Sequence, residues 1–183
     1  MIVYHGSNSN FSVLRISPRL TKSSSGYLSE GYGIYFSLNP EVAKGYGKYL
    51  YVLEVNDRYV KDYRDYRECS TLLIDLIATV SKDVNRDLRA YLPSDFISSM
   101  SNDIVRGNYG VGYLDKDLVN ILCENKDFMR DFSYSLKEEV FRKFRVELKK
   151  KLAVYMFISE VDGTGIIKNV SKNIVKIVGK ERS

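Results

Sequence analysis

The stretch that most constrains the fold is Glu30-Gly31-Tyr32-Gly33-Ile34-Tyr35-Phe36-Ser37, followed after Leu38 by Asn39-Pro40-Glu41-Val42-Ala43-Lys44-Gly45-Tyr46. Two glycines permit a tight bend and a close approach of the backbone to a ligand. Ile34-Tyr35-Phe36 reads as a short buried strand, since β-branched and aromatic side chains suit a pleated, half-buried surface. Asn39 is a good N-cap, Pro40 is pre-organised for the first helical position, and Glu41 complements the positive end of the helix dipole. A strand ending at Ser37 therefore hands over to a helix that carries Tyr46. Tyr35 and Tyr46 are expected on neighbouring elements, with their rings facing across a narrow slot.

The rest of the chain is read around that slot. At 183 residues it is long enough for one domain with a sizeable core and too short for two comfortable ones. An apolar share of 44% with 28% charged residues excludes intrinsic disorder. The net charge of +5 suits either an acidic partner or an ordinary solvated surface. Cys69, Cys123 and His5 are the only residues of their types, too few for a Cys/His zinc site or a disulfide framework, so a reducing compartment is expected. The start Met1-Ile2-Val3-Tyr4-His5 lacks a basic leader, and the apolar run Leu152 to Ile158 is too short to span a bilayer. The expectation is a cytoplasmic protein with no membrane partner.

In chain order, Met1 to Tyr4 reads as a strand that delivers His5-Gly6-Ser7 at its end, and Asn8 to Gly26 as a long loop. Tyr49 to Val55 is a strand whose alternation puts Tyr49, Tyr51, Leu53 and Val55 on one face. The middle changes character. Ser70 is expected to cap a helix carrying Leu73, Leu76, Ile77, Val80, Val84, Leu88 and Tyr91, which Pro93 stops. Ser94 opens a second helix with Phe96, Ile97, Met100 and Ile104, and Asp115 caps a third with Leu118, Val119 and Leu122. Ser135-Leu136-Lys137-Glu138 reads as a capping box for a helix with Val140, Phe141, Phe144 and Leu148 inward. Ala153 to Ser159, Gly165 to Ile167 and Ile174 to Val178 read as strands. Strands, then helices, then strands again give an α+β class, with the helical insertion at about 61–150 inside one domain spanning 1–183. Gly31-Tyr32-Gly33 lacks the third glycine of a dinucleotide-binding turn.

Three of these features together resemble the diphtheria-toxin and poly(ADP-ribose)-polymerase-like ADP-ribosyltransferases. Val3-Tyr4-His5-Gly6-Ser7 matches that family's strand ending in His-Gly-(Ser/Thr). Gly33-Ile34-Tyr35 matches its Gly-(Ile/Phe)-Tyr strand, and Tyr46 follows Tyr35 by 46 − 35 = 11 positions, as the family's second tyrosine does. The family's third motif is an acidic residue by a late strand. Glu160 is the best match, with Asp162 and Asn173 as the other alignments. Ala43 stands where polymerase members have a serine, which removes one hydrogen bond to nicotinamide. The layout, with a helical insertion before the acidic strand, is also similar to the phage anti-CRISPR ADP-ribosyltransferases.

The resemblance implies a split antiparallel sheet core and an NAD-dependent mono-ADP-ribosyltransferase, a glycosyltransferase with NAD as co-substrate. In that reaction the bond between nicotinamide and ribose breaks through an oxocarbenium-like state, which a nearby carboxylate stabilises as in glycoside hydrolysis. The resemblance gives that role to Glu160. It gives Tyr35 and Tyr46 the faces of the cationic nicotinamide ring, Gly6 the carboxamide, and His5 a ribose hydroxyl with help from Ser7. Arg15, Arg19 and Lys22 lie in the loop that covers NAD in the family, one of them meeting the pyrophosphate. The acceptor implied is a macromolecule, a protein before a nucleic acid, and the phage likeness points to an anti-defence effector in the host cytoplasm. Two other functions stay open. Water in place of the acceptor makes an NAD glycohydrolase, and a silent domain of this shape makes a binding module for protein or nucleic acid. The basic run Arg142, Lys143, Arg145, Lys149, Lys150 and Lys151 would serve nucleic acid, or be a solvated face near a helix C-terminus.

Overall fold

The structure, a computed structural model, describes residues 1–16 and 30–182. They divide into two compact units, Met1–Asp62 with Leu152–Ser183, and Tyr63–Lys151. The class is α+β. The helical block begins and ends within two residues of the boundaries expected at 61 and 150.

Among the described residues the first unit is a seven-stranded sheet with one short helix. Its strands are β1 (Ile2–Ser7), β2 (Ile34–Ser37), β3 (Tyr49–Val55), β4 (Val60–Asp62), β5 (Val154–Met156), β6 (Thr164–Ile167) and β7 (Val175–Arg182). The spatial order is β4-β5-β6-β2-β1-β3-β7. All neighbours run antiparallel except β4 and β5, which are parallel, so the expected wholly antiparallel sheet is corrected at that edge. The connection from β4 to β5 is the whole helical block, and a parallel pair needs a long crossover of that kind. The β1/β3 ladder runs the full length of β1, from Ile2↔Glu54 to Ser7↔Tyr49. The β1/β2 ladder, by contrast, is limited to Tyr4↔Ser37. The sheet is thus strongly knit on either side of that boundary and barely knit across it.

One face of this sheet carries a buried apolar cluster that includes Val3, Ile34, Phe36, Tyr51, Leu53, Val55, Val154, Met156 and Ile167. These positions alternate along β1, β2 and β3 as period-2 patterning demands. The expected Tyr49, Tyr51, Leu53, Val55 face is present, with Tyr49 packed at its margin. The strand predicted over Ala153–Ser159 shrinks to Val154–Met156, because β6 pairs only that far: Met156↔Gly165 is the last register. Strand β1 continues three residues beyond Tyr4, since β3 offers partners as far as Tyr49, so His5, Gly6 and Ser7 are strand residues rather than residues after a strand.

Helix α1 (Pro40–Lys44) starts as read: Asn39 caps it, its side chain accepting from the Glu41 N–H at 2.9 Å. It ends sooner than expected. Gly45 is the C-cap, and Tyr46 falls in the following turn, its N–H donated to the Ala43 carbonyl at 3.1 Å.

The second unit holds α2 (Tyr66–Asp83), α3 (Phe96–Val105), α4 (Leu114–Glu124), α5 (Lys126–Asp131) and α6 (Tyr134–Lys151). The apolar spacing located these helices, but their starts differ. Asp65, not Ser70, caps α2, because its carboxylate accepts from both the Arg67 and Glu68 N–H groups at 2.7 and 3.1 Å. Helix α2 stops at Asp83, with Asn85 at φ 51°, so Leu88 and Tyr91 belong to a separate 3₁₀ turn. Helix α3 starts after Asp95 rather than Ser94, and Asp115 lies in the first turn of α4 instead of capping it. Ser133 accepts from the Leu136 N–H at the head of α6, which displaces the box read at Ser135 to Glu138 into the helix. Among the described residues no helix is long and apolar enough to cross a membrane.

Within α3, Ser101 is fully buried and its hydroxyl has no hydrogen-bond partner among the described residues. A buried hydroxyl without a hydrogen bond forfeits its solvation. Ser101→Ala is therefore expected to stabilise the fold by about 0.5–1 kcal/mol, read as a rise in the urea midpoint at unchanged slope.

Candidate functional site

Beyond Tyr4↔Ser37, strands β1 and β2 part, and His5, Gly6, Tyr35 and Tyr46 gather around the wedge between them. Helix α1 closes on the same place. A Cβ built on Gly6 would lie 1.9 Å from the Ala43 carbonyl oxygen and 3.1 Å from the Tyr46 Cβ. Only glycine allows this approach, so Gly6 and Tyr46 are neighbours through the absence of a side chain.

His5 spans the wedge. Its Nδ1 lies 2.7 Å from the Tyr35 carbonyl oxygen. A carbonyl only accepts, so Nδ1 carries the proton and, in the neutral ring, Nε2 presents a lone pair. Burial pushes the His5 pKa below its ordinary 6.5, with the Tyr35 hydrogen bond opposing that shift, so the ring is neutral at physiological pH. Its ring lies 6.2 Å from both Phe11 and Tyr51, which stack on each other at 4.0 Å. The Tyr51 hydroxyl fastens the following loop by accepting from the Phe11 N–H and donating to the Ser9 carbonyl. A neutral imidazole with a bare Nε2 can accept a hydrogen bond from an alcohol.

Tyr35 is held at its hydroxyl, which donates to the Gly31 carbonyl at 2.9 Å and accepts from the Glu30 N–H at 3.1 Å. The edge of Phe157 meets its ring at 6.0 Å and 89°. Tyr46 is 65% exposed, and among the described residues no ring stacks on it. One aromatic is therefore fixed and the other is exposed. The Ser7 hydroxyl accepts from the Ser9 N–H, which leaves its own O–H to donate elsewhere. Arg15 is exposed next to Leu14, whose side chain anchors the loop in the core. Arg19 and Lys22 lie outside the described residues.

The acidic candidates separate. The strand beside β2 is β6, and the loop ahead of it is tied to the end of β2 by the Leu38 N–H donating to the Gly163 carbonyl at 2.9 Å. Glu160 and Asp162 both sit on that loop and are exposed, and the Asp162 side chain accepts from the Gly163 N–H at 2.8 Å. Asn173 precedes β7 instead, where its amide donates to the Tyr59 hydroxyl at 3.3 Å. The Asn56 N–H donates to the Ile174 carbonyl, which puts Asn173 at the Val55 end of β3, whereas the wedge adjoins the Tyr49 end, so Asn173 is not brought to the wedge. A carboxylate that sequence reasoning passed over lies closest to Tyr35 by its bonds: Glu30 is 4% exposed and accepts from the Tyr155 hydroxyl at 3.0 Å. The one signal for it was an acid placed directly before the glycine turn.

The helical unit contains a groove of about 800 Å³ lined by Asp115, Lys116, Glu138, Glu139, Arg142 and Arg145 among others, where both signs of charge alternate. Much of the basic run is already paired within that unit: Lys143 with Asp83 at 3.0 Å, Arg145 with Asp115 at 3.8 Å, Lys150 with Glu147 at 2.5 Å and Lys151 with Asp75 at 4.0 Å. Four of the six cations of that run are thus paired with acidic side chains of the same unit. Among the described residues no three or more His, Cys, Asp or Glu side chains converge as metal ligands would. Comparison with known protein families, characterised proteins and solved structures finds no match for this chain.

Two outcomes follow from the wedge geometry. A His5 pKa below 6.5 in the folded state means that the unfolded chain takes the proton more readily, so this contribution to stability is complete above 6.5 and is lost as pH falls below it. Thermal melts through that range are expected to fall more for the parent protein than for His5→Gln, whose amide still donates to the Tyr35 carbonyl without titrating. Gly6→Ala forces α1 off β1 and is expected to lower stability by about 1–3 kcal/mol in denaturant unfolding.

Proposed function

We propose that the wedge binds NAD and that the protein transfers ADP-ribose from it to a macromolecular acceptor with release of nicotinamide. The observation that carries this reading is the convergence of His5, Gly6, Tyr35 and Tyr46, widely spaced in the chain, on one opening in the sheet. The limited β1/β2 ladder, a single residue pair, supports the reading by leaving room between the two strands.

Each part has a physical task. The pyridinium ring of NAD is flat and cationic, so the faces of Tyr35 and Tyr46 attract it at about 0.5–2 kcal/mol each. Close approach at Gly6 suits a planar carboxamide. The bare Nε2 of His5 accepts from a ribose hydroxyl. As nicotinamide departs, positive charge grows on the ribose, and a carboxylate from the loop before β6 stabilises it. Glu160 is the residue we assign to that role, with Asp162 on the same loop as its rival and Asn173, ahead of β7, as the alignment its position favours least.

A discriminating experiment is nicotinamide release from NAD, measured with and without cell lysate. Release that needs lysate and leaves label on protein identifies a transferase, release without acceptor a glycohydrolase, and no release a binding module. In the first two cases Tyr46→Ala is expected to raise the NAD KM by about 2- to 30-fold, the loss of one ring face. Glu160→Gln is expected to abolish turnover with binding retained; if turnover survives there and is lost in Asp162→Asn, the carboxylate role moves to Asp162.

A further inference from the structure

Behind the Tyr35 ring lies a buried carboxylate that the proposed reaction does not use. Burying a carboxyl group is costly unless it is hydrogen-bonded. Glu30 is 4% exposed, and its Oε2 accepts from the hydroxyl of Tyr155, itself fully buried on β5. The backbone of the same residue holds the nicotinamide-facing candidate: the Glu30 N–H donates to the Tyr35 hydroxyl at 3.1 Å, and the Tyr35 O–H donates to the next carbonyl, Gly31, at 2.9 Å. The Glu30 carbonyl in turn accepts from Lys168 Nζ, just past β6. Gly31 has φ +75°, a backbone state that only glycine adopts readily, so the turn is sharp at the point where it meets the tyrosine. The clamp on the Tyr35 hydroxyl is therefore anchored to β5 by a side chain and to the end of β6 by a carbonyl.

We propose that Glu30 is a positioning residue for Tyr35: its bond to Tyr155 fixes the 30–31 turn, and the turn fixes the orientation of the ring. A ring tethered at its hydroxyl meets a ligand already ordered, so binding does not have to supply that ordering entropy. In this role Glu30 acts through the Tyr35 ring rather than on the reacting bond. Its loss acts on the affinity for a flat cationic ring and leaves the bond-breaking step alone. The ligand half of this inference rests on the NAD reading; the ring-holding half stands on geometry alone.

The test places 3-fluorotyrosine at position 35 and follows its fluorine resonance in the parent protein, Glu30→Gln, Glu30→Ala and Tyr155→Phe. Glu30→Gln still offers an oxygen to Tyr155 and is expected to keep one dominant resonance. Glu30→Ala and Tyr155→Phe are expected to broaden or split it. In NAD cleavage the last two are expected to raise KM about tenfold with kcat within about twofold. An unchanged fluorine signal in both variants overturns the proposal, as does a fall in kcat at constant KM. Tyr155→Phe removes one hydroxyl and keeps the packing, so it decides the matter if Glu30→Ala does not fold. If the fluorine result holds and NAD is not cleaved, the ring-holding role stands and the NAD reading fails.

Discussion

A single side-chain bond, from the His5 ring to the Tyr35 carbonyl, does at the centre of this sheet what a backbone ladder does elsewhere. Between β1 and β3 the strands pair from Ile2 to Ser7, and between β2 and β6 they pair along all of β2. At the β1/β2 boundary one residue pair remains, and the imidazole bridges the gap that follows. A side chain can serve there only if it is oriented and sheltered from competing water. The stack of Phe11 on Tyr51 gives that shelter. The same bond puts the proton on Nδ1, so Nε2 is left as an acceptor with no hydrogen-bond partner among the described residues.

Around this joint, packing follows from small side chains. Gly6 lets α1 rest on β1, which carries Tyr46 to the mouth of the wedge even though Tyr46 lies beyond the helix end. Gly165 makes room for the Phe36 ring on the core face, and Gly33 for Ile166 on the other. The proposed site is thus built by backbone proximity more than by polar convergence, which suits recognition of flat rings and amides.

What was legible in the sequence was local. The strand from Ile34 to Ser37, the Asn39 cap and the alternation of Tyr49 to Val55 depend on residues a few positions apart, and they appear where they were read. The helix starts were less legible because several acceptors compete within one turn: Asp65 precedes Ser70 and satisfies two N–H groups, so it wins. The buried Glu30 was illegible because its partner, Tyr155, is 125 residues away, and no local pattern distinguishes a buried acid from an exposed one. The acidic motif stayed ambiguous for a related reason. Only the strand order shows that β6, and not β7, lies beside β2, which ranks Glu160 and Asp162 ahead of Asn173.

The central claim is that two phenol rings take the faces of a nicotinamide ring at this wedge. Proton NMR of NAD titrated with the protein tests it directly, because ring currents from above and below shift the enclosed protons upfield. The account predicts upfield movement and broadening of the nicotinamide resonances that disappear when Tyr35 and Tyr46 are both replaced by leucine. Nicotinamide resonances that stay in place while the adenine resonances move, or that move equally with the doubly substituted protein, would contradict it.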